Sequence, residues 1–255
     1  MRTVGWIRAL LSGWAVFLPL CLHGESPVLT SAKEALARED FGRVIQLLEG
    51  NPQIAPAEAE EVKQALAASH QSRGELHFQN GRIAECLKDF DRVVELIPEQ
   101  GPHHWQRGIA DYYAGHFVEG VEQFEQHKTV NPEDVENAAW HFLCLARAPG
   151  GSVELARSKL LPVHDDGRVP MKEIYKLYAG KTTPGAVLQA GKEGGDLSRF
   201  YADLYVGLYL EIMGKEKESL QLIARAAVNP KADHYMGDVA RTHLLVREGR
   251  RDGKP

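Results

Sequence analysis

Cysteine is scarce in this chain: three in 255 residues, at positions 21, 86 and 144. Cysteines so few and so far apart supply no disulfide framework. No run of alternating apolar residues is long enough for a β-strand, which leaves helix as the regular element to expect. The 11 histidines include no His-Glu-x-x-His pair and no accompanying carboxylate cluster, so no metal set is expected. A Gly-rich phosphate loop is missing too. Gly191-Lys192-Glu193-Gly194-Gly195 has no strand before it and reads as a helix end and loop. Asp165-Asp166 lacks a calcium-loop continuation, and no Gly-x-Ser-x-Gly elbow occurs. No cofactor and no catalytic residue are therefore expected. Basic residues number 30 against 35 acidic ones, and no basic patch is interleaved with aromatics. That balance argues against nucleic acid, whose binding rests on phosphate neutralisation.

The N-terminus reads as a targeting segment rather than as fold. Arg2 and Arg8 precede an apolar run from Ala9 to Leu22, broken only by Ser12, Gly13 and Pro19. A charged start followed by a short apolar core describes a secretory signal over residues 1–24. The run falls short of the roughly 20 apolar residues that a membrane span needs. Cleavage after Gly24 is expected, giving an exported protein that is periplasmic or envelope-associated. Two alternatives stay open, an uncleaved anchor and lipidation at Cys21. Against lipidation, Leu20 stands where lipoprotein signals place a small residue. Losing Arg2 and Arg8 leaves 28 basic and 35 acidic residues, a net charge of −7.

Two stretches superimpose at a spacing of 34 residues. Gly74/Gly108, Gly81/Gly115, Ile83/Phe117, Phe90/Phe124 and Pro98/Pro132 fall in register. The first glycine of each set lets a paired helix approach closely, at about 1 kcal/mol relative to alanine. The second ends its helix, where a left-handed residue is usually required. The aromatic fills the gap between helices, and the proline stops one helix or starts the next. A looser copy carries Gly207, Gly214, Ile223 and Ala226, with Pro230 one residue early. Ala35, Phe41, Val44 and Leu48 look like the end of an eroded first copy. This pattern resembles the tetratricopeptide repeat (TPR). The resemblance implies an all-α solenoid of helix hairpins, a right-handed superhelix without a sheet, whose stacked repeats form a concave binding face.

The expected organisation is N-terminal and central repeats over 25–161, an irregular helical connector over 162–196, and a C-terminal repeat with capping helix and frayed tail over 197–255. Turn signals at Asp165-Asp166-Gly167 and Gly194-Gly195-Asp196 mark the connector, which reads as a short helix pair. Ser31-Ala32-Lys33-Glu34 reads as a capping box. Asn51-Pro52, Asn131-Pro132, Asn229-Pro230 and Thr183-Pro184 each read as a cap before a proline at the first helical position. Pro56-Ala57-Glu58 opens a long helix. Cys86 sits at the repeat position where a small residue packs between helices, and Cys144 lies in an apolar helix around Trp140. Both read as buried small residues, with a nucleophilic Cys/His pair as the minor alternative. His70 and His104 occupy equivalent repeat positions and read as polar groups at hairpin interfaces.

The first helix of each repeat carries one stripe of residues spaced three, four and three apart. These stripes are Ala68, Gln71, Glu75 and Phe78; Pro102, Trp105, Ile109 and Tyr112; and Tyr201, Leu204, Leu208 and Glu211. Phe78, Trp105, Ile109, Tyr112 and Tyr201 are the expected partner-binding residues, because aromatics bury much area while keeping a polar handle. The alternative is that the next helix or the C-terminal segment covers them. The Lys/Asn/Arg set of a carboxylate clamp is missing from the face. A separate surface for self-association is offered by Leu29, Leu36 and the first helices.

The wider layout resembles the NlpI-type family of bacterial envelope lipoproteins. The features that carry the likeness are the export signal, the tandem central repeats, the Trp140-containing helix, and the stretch Leu177-Tyr178-Ala179-Gly180-Lys181-Thr182-Thr183. The closing part is Phe200-Tyr201-Ala202-Asp203-Leu204-Tyr205-Val206-Gly207-Leu208-Tyr209-Leu210, then Gly214 and Ala226-Ala227-Val228-Asn229. The resemblance implies a non-catalytic adaptor that holds peptidases or cell-wall hydrolases in the envelope, and a homodimer joined through N-terminal helices. Its implied partner is an envelope protein, with a membrane touched only through an N-terminal anchor. A structural, self-associating subunit and a small hydrolase are the alternative functions.

Overall fold

The computed structural model describes residues 26–251. The expected signal, with Cys21 and the cleavage position, lies outside them. Every regular element among the described residues is helical, and none of these helices is long and apolar enough to cross a membrane. In chain order they are α1 (Pro27–Ala37), α2 (Phe41–Leu48), α3 (Ala59–Gln79), α4 (Ile83–Leu96), α5 (Trp105–Ala114), α6 (Phe117–Val130) and α7 (Val135–Arg147). Then follow α8 (Val153–Ser158), α9 (Met171–Tyr178), α10 (Pro184–Glu193), α11 (Asp196–Ile212), α12 (Glu216–Ala227) and α13 (Tyr235–Arg251). Short 3₁₀ turns at Pro56–Glu58 and Pro98–His103 lead into α3 and α5.

The in-register glycines explain the pairing of these helices. A Cβ on Gly74 of α3 would stand 2.7 Å from the Phe90 ring of α4. On Gly108 of α5 it would stand 2.8 Å from Phe124 of α6, and on Gly207 of α11 it would stand 2.5 Å from Ile223 of α12. One missing side chain per pair thus admits one large side chain from the partner helix. Gly81, Gly115 and Gly214 close α3, α5 and α11 at φ of +70°, +86° and +72°, conformations that a side chain resists. Consecutive helices pack against each other from α3 to α7 and again from α10 to α13.

Two apolar clusters result. A large one joins α3 through α13 and centres on Trp140, Tyr112, Phe142, Tyr178 and Tyr205, all buried. A smaller one, with Leu29, Val44, Leu48, Val62 and Leu66, ties α1 and α2 to the start of α3. Leu29 is 1% exposed and serves this internal core, so the expectation that it faces a second copy is corrected; Leu36 is 37% exposed.

The helix starts follow the sequence signals only in part. Helix α1 begins at Pro27, with Ser26 accepting from the Leu29 amide, so Ser31 lies inside the helix and is no cap. Proline at the first position with serine before it outcompetes the capping box one turn later. Thr183 does cap α10, accepting from the Ala186 amide. Asn51 and Asn229 do not cap helices. Each accepts from the amide two residues on, at 2.9 and 2.8 Å, which makes an Asx turn around the proline. After Asn131-Pro132 the cap is Asp134, which accepts from Glu136.

Candidate functional site

The stripe predicted from the first helices is largely covered by the chain's own C-terminal helix. Helix α13 lies against α3, α5 and α11. The Tyr235 ring stacks on Phe78 at 5.3 Å and meets Trp105 edge-on at 5.1 Å. Thr242 donates to the Phe78 carbonyl at 2.9 Å, and Tyr113 bonds His243 at 3.2 Å. Phe78 and Ile109 are fully buried and Tyr112 nearly so. Trp105 and Tyr201 stay half-buried.

A charged lock holds this helix down. Glu211 of α11 accepts from Arg247 of α13, from the Tyr112 hydroxyl at 3.1 Å and from Arg147 at 2.8 Å. Burial works against the Glu211 carboxylate. His243, Arg247 and Arg147 outweigh it and carry the group below its ordinary range. Arg147 also stands over the Tyr112 ring, 5.2 Å from its centre. Arg247→Ala is expected to weaken the docking of α13 by about 1.5–3 kcal/mol, the worth of a hydrogen bond to a charged group. Hydrogen exchange confined to residues 235–249 should accelerate accordingly. Unchanged protection there would mean that packing alone holds the helix.

A cleft lies where α5, α6 and α7 meet the start of α13. It measures about 190 Å³ and is lined by Trp105, Ile109, Phe124, His127, Asp134, Glu136, Asn137, Trp140 and Met236. Its polar wall is built by the start of α7. Asp134 caps that helix, and Glu136 lies in its first turn. The Asp165-Asp166-Gly167 turn brings Arg168 to both of them. Arg168 reaches Glu136 at 2.6 Å, Asp134 at 2.8 Å and Asp166 at 2.6 Å. Tyr205 donates to Glu136 at 2.7 Å. Burial and then the neighbouring Asp134 lift the Glu136 carboxyl above the usual range, against the pull of Arg168 and Tyr205. Asn137 is fixed by donating to the Phe124 carbonyl at 3.1 Å. Its Oδ1 and the Trp140 Nε1 have no hydrogen-bond partner among the described residues, although both residues are buried. A buried polar atom left unpaired costs about 1–3 kcal/mol, so such atoms usually have a reason.

Of the five expected partner-binding residues, the structure brings Trp105 and Ile109 to this cleft. Phe78 lies under Tyr235, Tyr112 joins the Glu211 lock, and Tyr201 stacks near His234 and Tyr205. Sequence reasoning missed Asp134, Glu136, Asn137 and Trp140 as a site. Trp140 reads as part of an apolar helix, and no reading attaches to Asp134, Glu136 or Asn137 as site residues. The i, i+3 and i+6 spacing of Asp134, Asn137 and Trp140 was the available signal. Cys86 and Cys144 are free and buried, with thiols pushed up mainly by burial, which leaves them poor nucleophiles. Among the described residues no group of three or more His, Cys, Asp and Glu could hold a metal. No protein-family model matches this chain, and no curated protein compared with it does so either.

Proposed function

We propose that this chain is a non-catalytic adaptor of the tetratricopeptide-repeat kind, similar to the NlpI-type envelope proteins, and that it takes a protein partner at the Trp105 cleft. The cleft carries this reading: a half-buried tryptophan beside two acids and two buried polar atoms without partners. Tryptophan at the edge of a pocket is a favoured binding anchor. The repeated glycine–aromatic contacts and the left-handed helix ends support the repeat assignment. Export, read from Arg2, Arg8 and the apolar run after them, would put candidate partners in the envelope. A peptidase or cell-wall hydrolase is the class that the family resemblance implies. The partner surface at the cleft narrows from five stripe residues to Trp105, since Ile109 is buried, α13 and its lock cover Phe78 and Tyr112, and the half-buried Tyr201 lies apart beside His234.

Pull-down from native envelope extract, comparing wild type with Trp105→Ala, tests the reading. Trp105 is half-buried, and matched thermal unfolding would confirm an intact fold. At least one partner is expected to be lost from the variant. Direct titration should then give a fall in affinity of about thirtyfold, or 2 kcal/mol. Identical partner lists would remove the cleft from the function. Turnover of peptidoglycan or casein by pure protein would favour the hydrolase instead.

A further inference from the structure

The N-terminal hairpin has an apolar cluster of its own. Helices α1 and α2 bury Leu29, Val44 and Leu48 apart from the main core and join the array at Val62 and Leu66 of α3. The end of α2 meets α3 and α4 through polar groups instead. Glu49 caps α2, and its Oε1 accepts from Arg92 of α4 at 2.9 Å. Its Oε2 stands 4.0 Å from Nε2 of His70 on α3. The other ring nitrogen of His70, Nδ1, lies 2.8 Å from Asp89 of α4. Burial works against the Asp89 carboxylate, but His70 and Arg73 outweigh it and carry the group below its ordinary range. A carboxylate only accepts, so Nδ1 carries the hydrogen. In the neutral ring Nε2 is then a bare lone pair. It is buried and has no hydrogen-bond partner among the described residues. Opposite it stands the oxygen of Glu49, a second acceptor.

We propose that His70 is a proton-operated latch between the N-terminal hairpin and the rest of the array. Protonation puts an N–H on Nε2. A swing of about 1 Å by the Glu49 side chain then closes the gap to a hydrogen bond. The imidazolium bridges Asp89 of α4 and Glu49 of α2, while Arg92 keeps the second oxygen of Glu49. Loss of the proton restores two facing acceptors and frees the end of α2. The link is present at low pH and is lost as the pH rises through the titration of the ring. Histidine is the side chain that changes charge between pH 5 and 8. Arg73 grips Asp89 at 2.6 and 2.9 Å, His77 lies 3.6 Å from the same carboxylate, and Arg92 also bonds Glu95 at 2.9 Å. The other neighbours of α3 place their charges elsewhere: Asp238 of α13 bonds Gln79, and Glu58 bonds the Ser26 amide. Among these groups His77 shares the range of titration, and burial, then Arg82, lowers its pKa. The latch does not depend on the Trp105 cleft.

Imidazole ¹⁵N–¹H correlation spectra of the intact protein, taken from pH 8 to pH 5, read the ring, with His70→Asn assigning its signals. The neutral ring is expected to carry its proton on Nδ1 and to gain a second on Nε2. Hydrogen exchange, corrected for the intrinsic rate, reads the hairpin. Protection over residues 27–49 should rise about three- to fivefold along the same titration curve, a modest gain because the Glu49 side chain is 41% exposed. Protection of α11, in the main core, supplies the reference for any global change. Glu49→Gln should hold the hairpin equally at both ends of the range, because an amide donates to the neutral ring and accepts from the charged one. His77→Gln should keep the wild-type response. A wild-type response retained in Glu49→Gln, or no rise relative to α11, would overturn the latch. So would a neutral His70 with its proton on Nε2. Loss of the response in His77→Gln would take the switch away from His70 and assign it to His77.

Discussion

Asp111→Asn should stabilise the protein at pH 8 and do so progressively less as the pH falls to 4, while His104→Phe should do the reverse. Asp111 is buried on α5, with its Oδ2 unpartnered among the described residues and its Oδ1 3.7 Å from His116. Burial raises its pKa to about 7, with Asp91 and Glu119 adding to the rise and Arg107 opposing it. The folded state therefore holds a proton that the unfolded chain gives up near pH 4. Stability from this group is full below that point and is lost as the pH rises through 7. A rise from near 4 to about 7 corresponds to roughly 4 kcal/mol. His104 is buried against the Phe90 ring at 4.7 Å, and neither ring nitrogen has a hydrogen-bond partner among the described residues. Burial, then Arg107, lowers its pKa to about 4. Its contribution is present above pH 6.5 and is lost as the pH falls toward 4, by roughly 3 kcal/mol. The two slopes oppose each other over the same window, so these two groups leave the wild type nearly flat there. Urea midpoints at pH 4, 5.5, 7 and 8 would resolve the pair. Any constant offset from repacking drops out of each variant-minus-wild-type curve. Flat difference curves would mean that water or local opening already solvates both groups.

The repeat itself explains why His104 is stranded. His70, its equivalent one period earlier, bonds Asp89 at 2.8 Å, and Arg73 grips the same carboxylate at 2.6 and 2.9 Å. At the position equivalent to Asp89 the next repeat carries Gln123. That side chain donates to the Gly101 carbonyl at 2.8 Å and accepts from Arg107 at 3.2 Å. One acid-to-amide change between copies thus removes the partner of a buried histidine.

The helical fold was legible because its signals are local. The 74/108 and 81/115 glycines mark places where backbone geometry, not side-chain chemistry, is at stake, and both roles survive in the structure. Asn-Pro pairs misled because asparagine bonds its own turn as readily as a helix end. Thr183, a weaker turn former, kept its cap. The site was much less legible. Its polar wall depends on Arg168 crossing from an irregular segment to α7, and its exposed area depends on where α13 lies. Both are long-range placements that no repeat period encodes. A stripe of aromatics at helical spacing cannot reveal that Tyr235, far along the chain, stacks on Phe78.

Gly108→Ala should destabilise the wild type yet stabilise a Phe124→Ala background. In the wild type the new Cβ would meet Phe124 at 2.8 and 3.0 Å and Gln123 at 3.0 Å. The ring's retreat is limited, because it stacks with Trp140 at 6.5 Å and both rings are buried. Overpacking of this kind costs about 1–3 kcal/mol, more than the roughly 1 kcal/mol that alanine gains over glycine in a helix. Phe124→Ala alone should cost about 3–5 kcal/mol, as large-to-small core changes do. With the ring gone, the clash vanishes and only the helix preference of alanine remains. The double variant should then be more stable than Phe124→Ala by about 1 kcal/mol, a reversal of sign that additivity cannot give. Urea unfolding of the four proteins measures the cycle, and equal effects of Gly108→Ala in both backgrounds would refute the interlock. The same contact matters to the cleft. Phe124 carries the carbonyl that holds Asn137, and its ring supports Trp140. Spacing between α5 and α6 is therefore transmitted to the two unpaired atoms at the cleft. Gly108→Ala should disturb the Trp140 indole signal at temperatures where the fold is still intact. Trp105, reached through Tyr235 rather than Phe124, should respond less.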